Sequence, residues 1–532
     1  MSSPPALVAV GLLEPAIVQG DETWQPVFER QCDFQPTIFS GVMMNLIKNP
    51  NINSNHLFRA DILYDSLGEL GAPACDAATP VNAIDARPRE TRISGFSCKR
   101  TLVRLLIPRN PQLDRALVQT CHILQSSTQS EEKTLVVYLP HVDGAEEIPF
   151  YHPAVYGIAF LHIWNLAEAE AGKISIHYKL FRDSTTDSAQ DRIDPSLERI
   201  AFHLISTVHK HGKGVKAGYT KRVCHDRVIP QQRLQDTYSR LKISHAKRLI
   251  QNWAEQTDPT KHVFEDLGIA AFLIELWRDM YTWRAECSSE CERKEESRNS
   301  VWNAAVLKPR FPGFVDIGCG NGILVEILKR EGYSGWGFDA RRRKTWDTFT
   351  EDVQAGLKQM VLVPKILGDQ PFLREEGIPH GQLMEPLPPQ ERVGIHDGTF
   401  PHGTFIISNH ADELTGWTPL IASLSESPFL IIPCCSHDLS GARFRAPAKS
   451  DDRGKQPSAY ASLIYWVERL ARDAGWEVER EVLRIPSTRN IALIGRRRQN
   501  ISIPLSDILQ REGGGGGWVD RALALTRKKN DH

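Results

Sequence analysis

Phe314-Val-Asp316-Ile-Gly318-Cys319-Gly320-Asn321-Gly322-Ile-Leu-Val-Glu-Ile-Leu-Lys-Arg330 is the stretch that decides the fold class of this chain. A short apolar strand runs into glycines at every second position and then into a run with helical periodicity. Glycine has no Cβ, so such a turn is tight and lets a ligand lie against the backbone. The spacing speaks against the dinucleotide fingerprint G-x-G-x-x-G, because Ile323 stands where its third glycine would fall. The third glycine comes one place early, and an acid, Asp316, sits two places before the first.

The next element has the same logic. Tyr333-Ser-Gly335-Trp-Gly337-Phe-Asp339 reads as a second strand ending in an acid, about twenty residues beyond the glycine turn. A carboxylate in that place accepts ribose hydroxyls, which makes Asp339 the natural clamp for a nucleoside. The D-x-G-x-G-x-G pattern resembles motif I of class I S-adenosylmethionine (AdoMet) methyltransferases. AdoMet has no pyrophosphate, so this loop would pass a nucleoside and an amino-acid tail.

Composition sets the bounds. A chain of 532 residues has length for two or three cores, and 41% hydrophobic content is ordinary for a soluble globular protein. The most apolar helix candidate, Phe264 to Trp283, is interrupted by Glu265, Asp266, Glu275 and Asp279, so no membrane span is expected. Met1-Ser-Ser-Pro-Pro lacks the positive start of a secretory signal. The ten cysteines form no disulfide framework and read as reduced thiols in the cytosol or nucleus, and a cytoplasmic protein is expected. The net charge of −1 conceals basic clusters: Lys210, Lys213, Lys216, Lys221 and Arg222 in one acid-free segment, and Arg341-Arg342-Arg343-Lys344 after Asp339. Clusters of this kind suit phosphate contacts to RNA, although a charge run is more often a solvated face.

Along the chain, residues 1–95 mix apolar patches with Pro, Asn and Asp and are expected to be a partly ordered extension. Residues 96–230 carry strand-like segments at Cys98–Ile107, Lys133–Leu139 and Lys173–Leu180 with helices between them, a polar loop at 183–191, and a helix over 194–212. They are expected to form an α+β domain whose basic segment suits RNA binding. Residues 231–300 are a helical connector, with one helix over 231–255, followed by a charged hinge. Residues 301–498 alternate strand and helix, which implies a mostly parallel sheet. Strands are expected at Val361–Leu367, Thr404–Ser408 and Phe429–Pro433, a Pro- and Gly-rich insertion at Gly368–Gly403, a helix at Ala459–Ala474, and a closing antiparallel pair. Residues 499–532, with glycines from Gly513 to Gly517, read as a flexible, basic tail.

In open α/β sheets ligands bind beyond the carboxyl ends of the strands. That rule gathers Gly318 to Gly322, Asp339, Asn409-His410-Ala-Asp412-Glu413 and Cys434-Cys435-Ser436-His437 around one crevice.

Taken with these residues, the chain resembles the tRNA (uridine-44-2'-O)-methyltransferase family of eukaryotes. The blocks that carry the resemblance are Phe314 to Gly322, Gly337-Phe-Asp-Ala-Arg-Arg-Arg-Lys344, Ser408-Asn-His-Ala-Asp-Glu-Leu-Thr415, Pro433-Cys-Cys435 and Arg484-Ile-Pro-Ser-Thr-Arg-Asn490. Upstream it takes in Ile107-Pro-Arg109, Pro149-Phe-Tyr-His-Pro153, the segment His209 to Asp226, and Asp258-Pro-Thr-Lys-His-Val-Phe-Glu-Asp266. The resemblance implies 2'-O-methylation of uridine 44 in serine tRNA with AdoMet as cofactor. It also implies a class I, Rossmann-like domain in the C-terminal half, preceded by an α+β domain and a helical connector. Asp316, Gly318, Cys319, Gly320, Asn321, Gly322, Asp339 and Asn409 would then hold the cofactor. The basic residues above and Arg489 would meet RNA.

Methyl transfer from a sulfonium needs alignment above all, and a base near the 2'-hydroxyl helps. The candidates after the fourth strand are His410, Asp412 and Glu413. His410 suits the role because an imidazole titrates near working pH, yet a structural hydrogen bond is the blander account. Asp412 also has the position of a helix cap. Lys344 and Arg489 are candidates to hold phosphate or steady the oxyanion. Cys287-x-x-x-Cys291 and Cys434-Cys435-x-His437 have metal-like spacing without a second ligand pair, so no metal is expected. A nucleophilic cysteine of the kind a pyrimidine C5-methyltransferase uses is conceivable at Cys434 or Cys435. The rival readings are a methyltransferase acting on protein or a small molecule, and an RNA-binding scaffold without catalysis.

Overall fold

The computed structural model describes residues 8–9, 17–19, 22–69, 86–110, 113–167, 172–181, 193–219, 225–281, 311–369, 394–447, 458–499 and 503–527. Lys221, Arg222, the loop 183–191, the hinge with Cys287 and Cys291, Trp283 and residues 370–393 of the insertion lie outside the described residues. The chain divides into two compact units, Met1–Lys221 and Arg222–His532.

The first unit is built on an antiparallel sheet of order β1-β4-β10-β9-β8-β7-β6-β5. Its strands are β1 (Val8–Ala9), β4 (Gln25–Cys32), β5 (Leu57–Asp65), β6 (Ser97–Pro108), β7 (Leu117–Ser127), β8 (Glu131–Pro140), β9 (Gly157–Asn165) and β10 (Gly172–Lys179). A separate hairpin pairs β2 (Val18–Gln19) with β3 (Glu22–Thr23). Helices α1 (Pro36–Lys48) and α2 (Pro195–Lys216) cover one face: Phe39, Leu46, Ile205 and Val208 pack with Val136 and Phe160. Trp24, Leu135, Val137 and Leu161 fill the other face. Pro195 fits the first turn of α2, and the Asp194 carboxylate caps it by accepting the Ser196 N–H at 2.6 Å.

Two expectations are corrected here. In place of a partly ordered extension over 1–95, residues 22–69 supply β4, α1 and β5, which are integral to the sheet and its core. Among the described residues no α-helix separates the strands from β6 to β10, and only a short 3-10 turn, Ala145–Glu147, interrupts them; they form a meander with two further strands at Leu117–Ser127 and Gly157–Asn165. Burial on both faces removes the period-two pattern that marks a half-exposed strand, and residues 134–140 of β8 are all buried.

The second unit has a sheet of order β14-β13-β12-β11-β15-β16-β18-β17. These are β11 (Phe314–Ile317), β12 (Gly335–Asp339), β13 (Leu357–Leu362), β14 (Gly394–His396), β15 (Phe405–Asn409), β16 (Phe429–Ile432), β17 (Trp476–Val482) and β18 (Ile491–Arg498). The strands from β14 to β16 are parallel, and β18 and β17 close the sheet antiparallel. The third strand lies earlier than expected and gives way at Pro364 to a 3-10 turn, Lys365–Asp369.

The segment read as a connector belongs to this unit. Helix α3 (Gln231–Leu241) passes through a π turn at Lys242–Ala246 into α4 (Lys247–Gln251), and α5 (Pro259–Tyr281) follows. The single helix expected over 231–255 is interrupted because the π turn brings His245 to 2.8 Å from Glu331. Trp277 of α5 is fully buried, with ring centroids 5.0 Å from Tyr333 and 5.4 Å from Phe405. Buried Glu275 pairs with Arg233 and Arg278, which spares the unit an uncompensated charge.

The tail also departs from expectation. Helices Leu505–Arg511 and Trp518–Arg527 pack on the sheet, and the buried Trp518 indole donates to Leu362 O at 2.8 Å. The glycine run between them is a folded turn. A Cβ at Gly515 would come 2.3 Å from Leu367 Cδ2, so any larger residue there would have to displace that side chain. Among the described residues no helix is long and apolar enough to cross a membrane.

Candidate active site

The parallel strands of the second unit point their carboxyl ends into a crevice of about 1310 Å³. The first wall is the turn between β11 and α6 (Ile323–Arg330). Gly318, Gly320 and Gly322 take φ of +73°, +51° and +77°, where a side chain would be strained. Gly322 has a second constraint, since a Cβ there would meet Leu357 Cδ1 at 2.9 Å. The turn is held from outside by the Trp346 indole, which donates to Gly320 O at 2.9 Å.

Asp339, at the end of β12, accepts N–H bonds from Gly320 at 3.1 Å and Arg341 at 3.0 Å. The two amides fix the carboxylate beside the glycine turn, with acceptor capacity left over because a carboxylate has about four lone-pair sites. Asp316, in β11 two residues before Gly318, is buried. One of its oxygens, Oδ1, has no partner among the described residues. Burial raises this carboxyl well above its ordinary range, helped by the nearby charges of Asp266 and Asp339. An orphaned buried carboxylate oxygen beside further acids suits a cationic ligand, and AdoMet carries both an ammonium and a sulfonium. The residues therefore fit that cofactor.

The opposite wall comes from the turn after β15. His410 and Asp412 have φ of +50° and +41°, uncommon for side chains with a Cβ. The Nε2 of His410 lies 2.9 Å from Glu265 Oε1, and its Nδ1 is buried without a partner among the described residues. Asn409 Nδ2 donates to Asp266 Oδ1 at 3.4 Å. Burial, and then the charge of Glu265, push the Asp266 carboxyl up to about 8. The Cys434 thiol donates to Asp412 Oδ1 at 2.9 Å, while Glu413 Oε1 lies 4.0 Å from His437 Nε2.

Most residues singled out from the sequence thus meet around one crevice. Asp339, Gly318, Cys319, Gly320, Asn321, Arg341, Arg343, Lys344, Asn409, His410, Asp412, Glu413 and Arg489 line it. Four details differ from expectation. Asn321 precedes Gly322, the N-cap of α6, and its side-chain oxygen accepts the Ile323 N–H at 2.9 Å. Arg342 pairs with Asp347 and is not among the lining residues. Asp412 does not cap Thr418–Leu424, whose N-cap is Trp417 without a side-chain bond. The Cys434 thiol is held above its ordinary range, first by burial and then by Asp412, which opposes a nucleophilic thiolate.

Sequence reasoning missed two contributions. Glu265 and Asp266 reach the site from α5; in the sequence they closed a block of the family resemblance and interrupted an apolar helix, with no site role assigned to them. Trp518, Ala522 and Leu525 line the crevice from the tail, and their helical spacing was the available sign. Lys210, Lys213 and Lys216 lie exposed on α2 of the first unit, where Lys216 Nζ is 3.2 Å from Asp33.

The comparisons with known proteins agree with this arrangement. A family model described as "TRM44-like, N-terminal bet v1-like domain" matches residues 5–222. Another, described as "Predicted AdoMet-dependent methyltransferase", matches residues 228–290 and 299–364. A tRNA (uracil-O(2)-)-methyltransferase of Neurospora crassa is 47% identical over 95% of this chain and 94% of its own length. Proteins of the same name from Yarrowia lipolytica and Schizosaccharomyces pombe are 38% and 37% identical, covering 95% and 96% of this chain and 96% and 94% of their own. No solved structure matches the chain. With a bet v1-like N-terminal domain followed by an AdoMet-dependent methyltransferase domain, the chain belongs to the tRNA (uracil-O(2)-)-methyltransferase family.

Proposed function

We propose that this chain methylates the ribose 2'-hydroxyl of a tRNA uridine, and that the uridine is position 44 of serine tRNA. The observation that carries the proposal is the buried Asp316 with its orphaned oxygen, two residues before a glycine turn whose Gly318 and Gly320 line the crevice together with His410. AdoMet, when bound, supplies the methyl group from its sulfonium. We read the sheet as class I and Rossmann-like, with the switch point at β11, where the strand order turns from β12 to β15.

In this mechanism Asp339 would accept the cofactor's ribose hydroxyls, and Asp316 and Asn409 would hold its amino-acid end. Asn321 and Cys319 shape the turn that Gly318, Gly320 and Gly322 allow. Glu265 takes the Nε2–H of His410, which leaves the Nδ1 lone pair to receive the 2'-hydroxyl proton. Lys344 steadies negative charge developing on the oxygen. Asp412 and Glu413 hold the acceptor turn in shape. Arg341, Arg343 and Arg489 contact tRNA phosphates at the rim, and Arg342 supports them through Asp347. Cytoplasmic tRNA maturation is the proposed setting.

The test is incubation of the full chain with labelled AdoMet and unmodified serine tRNA, followed by nuclease mapping. One ribose methyl at uridine 44 is expected. A methyl on another nucleotide would remove the site assignment, and transfer to protein without RNA would remove the substrate class.

On the first unit, Lys210, Lys213 and Lys216 with the exposed Tyr219 and Phe202 form a basic, aromatic strip along α2 and its end, suited to an RNA backbone. Lys221 and Arg222 extend the strip in sequence. Reversing charge at Lys210 and Lys213 is expected to weaken tRNA binding and to lower the salt slope of log K by about two. An unchanged slope in filter binding would move the RNA surface elsewhere.

A further inference from the structure

The turns that follow β15 and β16 bring together a group of donors that the reaction leaves unexplained. A carboxylate oxygen of Asp412 and the sulfurs of Cys434 and Cys435 all lie within 4.8 Å of one another. The set makes a poor hydrogen-bonded cluster. A thiol is a weak donor, and among the described residues the Asp412 carboxylate accepts no bond from a nitrogen.

A second observation points the same way. His437, two residues beyond Cys435, is 7% exposed, its Nδ1 has no partner among the described residues, and it lines the same crevice. Its turn is fixed by a bridge to Arg443 and by the Phe444 N–H bond to Ser436 O at 3.2 Å. The cluster thus has three donors, an unpartnered imidazole two residues along the chain from Cys435, and a set backbone. Donor chemistry selects the ion: Mg²⁺ and Ca²⁺ take oxygen ligands, whereas thiolate with imidazole and carboxylate suits zinc. Zinc bonds of about 2.0–2.3 Å place tetrahedral ligands about 3.3–3.8 Å apart, which side-chain rotation can reach from the spacing found here.

We infer that Asp412, Cys434 and Cys435 form a site for a zinc-class divalent ion, with His437 or solvent in the fourth position. Binding displaces the two thiol protons to the buffer and leaves two thiolates and a carboxylate on the metal. Its structural effect is to tie the turn carrying His410 to the turn after β16. The inference rests on these side chains alone, so it stands or falls separately from the methyl acceptor.

The test uses the full chain, reduced and freed of metal by a chelator, then titrated with Co²⁺ and Zn²⁺. One Co²⁺ per chain with a sulfur-to-cobalt charge-transfer band is expected, and Zn²⁺ should displace it. The double variant Cys434→Ser/Cys435→Ser should lose the band, and Asp412→Asn should weaken Co²⁺ binding about tenfold or more. In the unaltered protein, Zn²⁺ should also protect Cys434 and Cys435 from alkylation, read by peptide mass spectrometry. No band in the unaltered protein, or protection falling only on other cysteines, would overturn the site. The alkylation readout decides the matter even if a variant fails to fold.

Discussion

Asp339→Ala is expected to weaken AdoMet binding by about 100-fold or more in calorimetric titration. Two charge-assisted hydrogen bonds to ribose hydroxyls are each worth about 1.5–3 kcal/mol, and about 2.7 kcal/mol is already two decades of affinity. The alanine also strips the Gly320 and Arg341 amides of their acceptor, so the glycine turn loses part of its fixation. Asp339→Asn keeps one acceptor oxygen and should fall between the two. If the alanine variant bound AdoMet normally, the ribose clamp would lie elsewhere in the crevice.

His410→Ala should lower kcat by about 10²–10⁴-fold while AdoMet affinity stays within a few-fold of the unaltered protein. On the proposed roles, such a variant loses the general base, whereas the cofactor contacts proposed for Asp339 and the glycine turn remain. Glu265→Gln tests whether the imidazole is oriented from α5. An amide oxygen still accepts from Nε2 but carries no charge to stabilise the protonated ring, so an intermediate loss of kcat with unchanged tRNA affinity is expected. Single-turnover kinetics separate the chemical step from binding. A rate for His410→Ala within about threefold of the unaltered enzyme would assign His410 to structure, and the proton would have to leave by another route.

The parts of this site that local sequence describes were legible in advance. The glycine turn, Asp339 and the segments after β15 and β16 are short-range patterns, each a strand followed by residues of distinctive chemistry. Their convergence follows from one topological rule about strand ends. Glu265 was illegible as a site residue because it meets His410 across 145 positions, and an acid on a helix looks the same in sequence whether it faces solvent or a crevice. The glycine tail misled for a related reason. Composition alone suggests a linker, but the close approach of Gly515 to Leu367 shows glycine used for contact. In the first unit β4 pairs with β10 at the far end of the domain sequence, and doubly buried strands lose their alternation.

The left-handed backbone at His410 and Asp412 sets evolution in the laboratory against catalysis. Each such residue costs about 1–3 kcal/mol that glycine would largely recover. A library screened only for heat resistance would therefore enrich substitutions in this turn early. The variants that survive best would be those that have discarded the imidazole and the carboxylate. Thermostabilised versions of this protein should be selected with an activity screen in parallel, or with positions 410 and 412 held fixed.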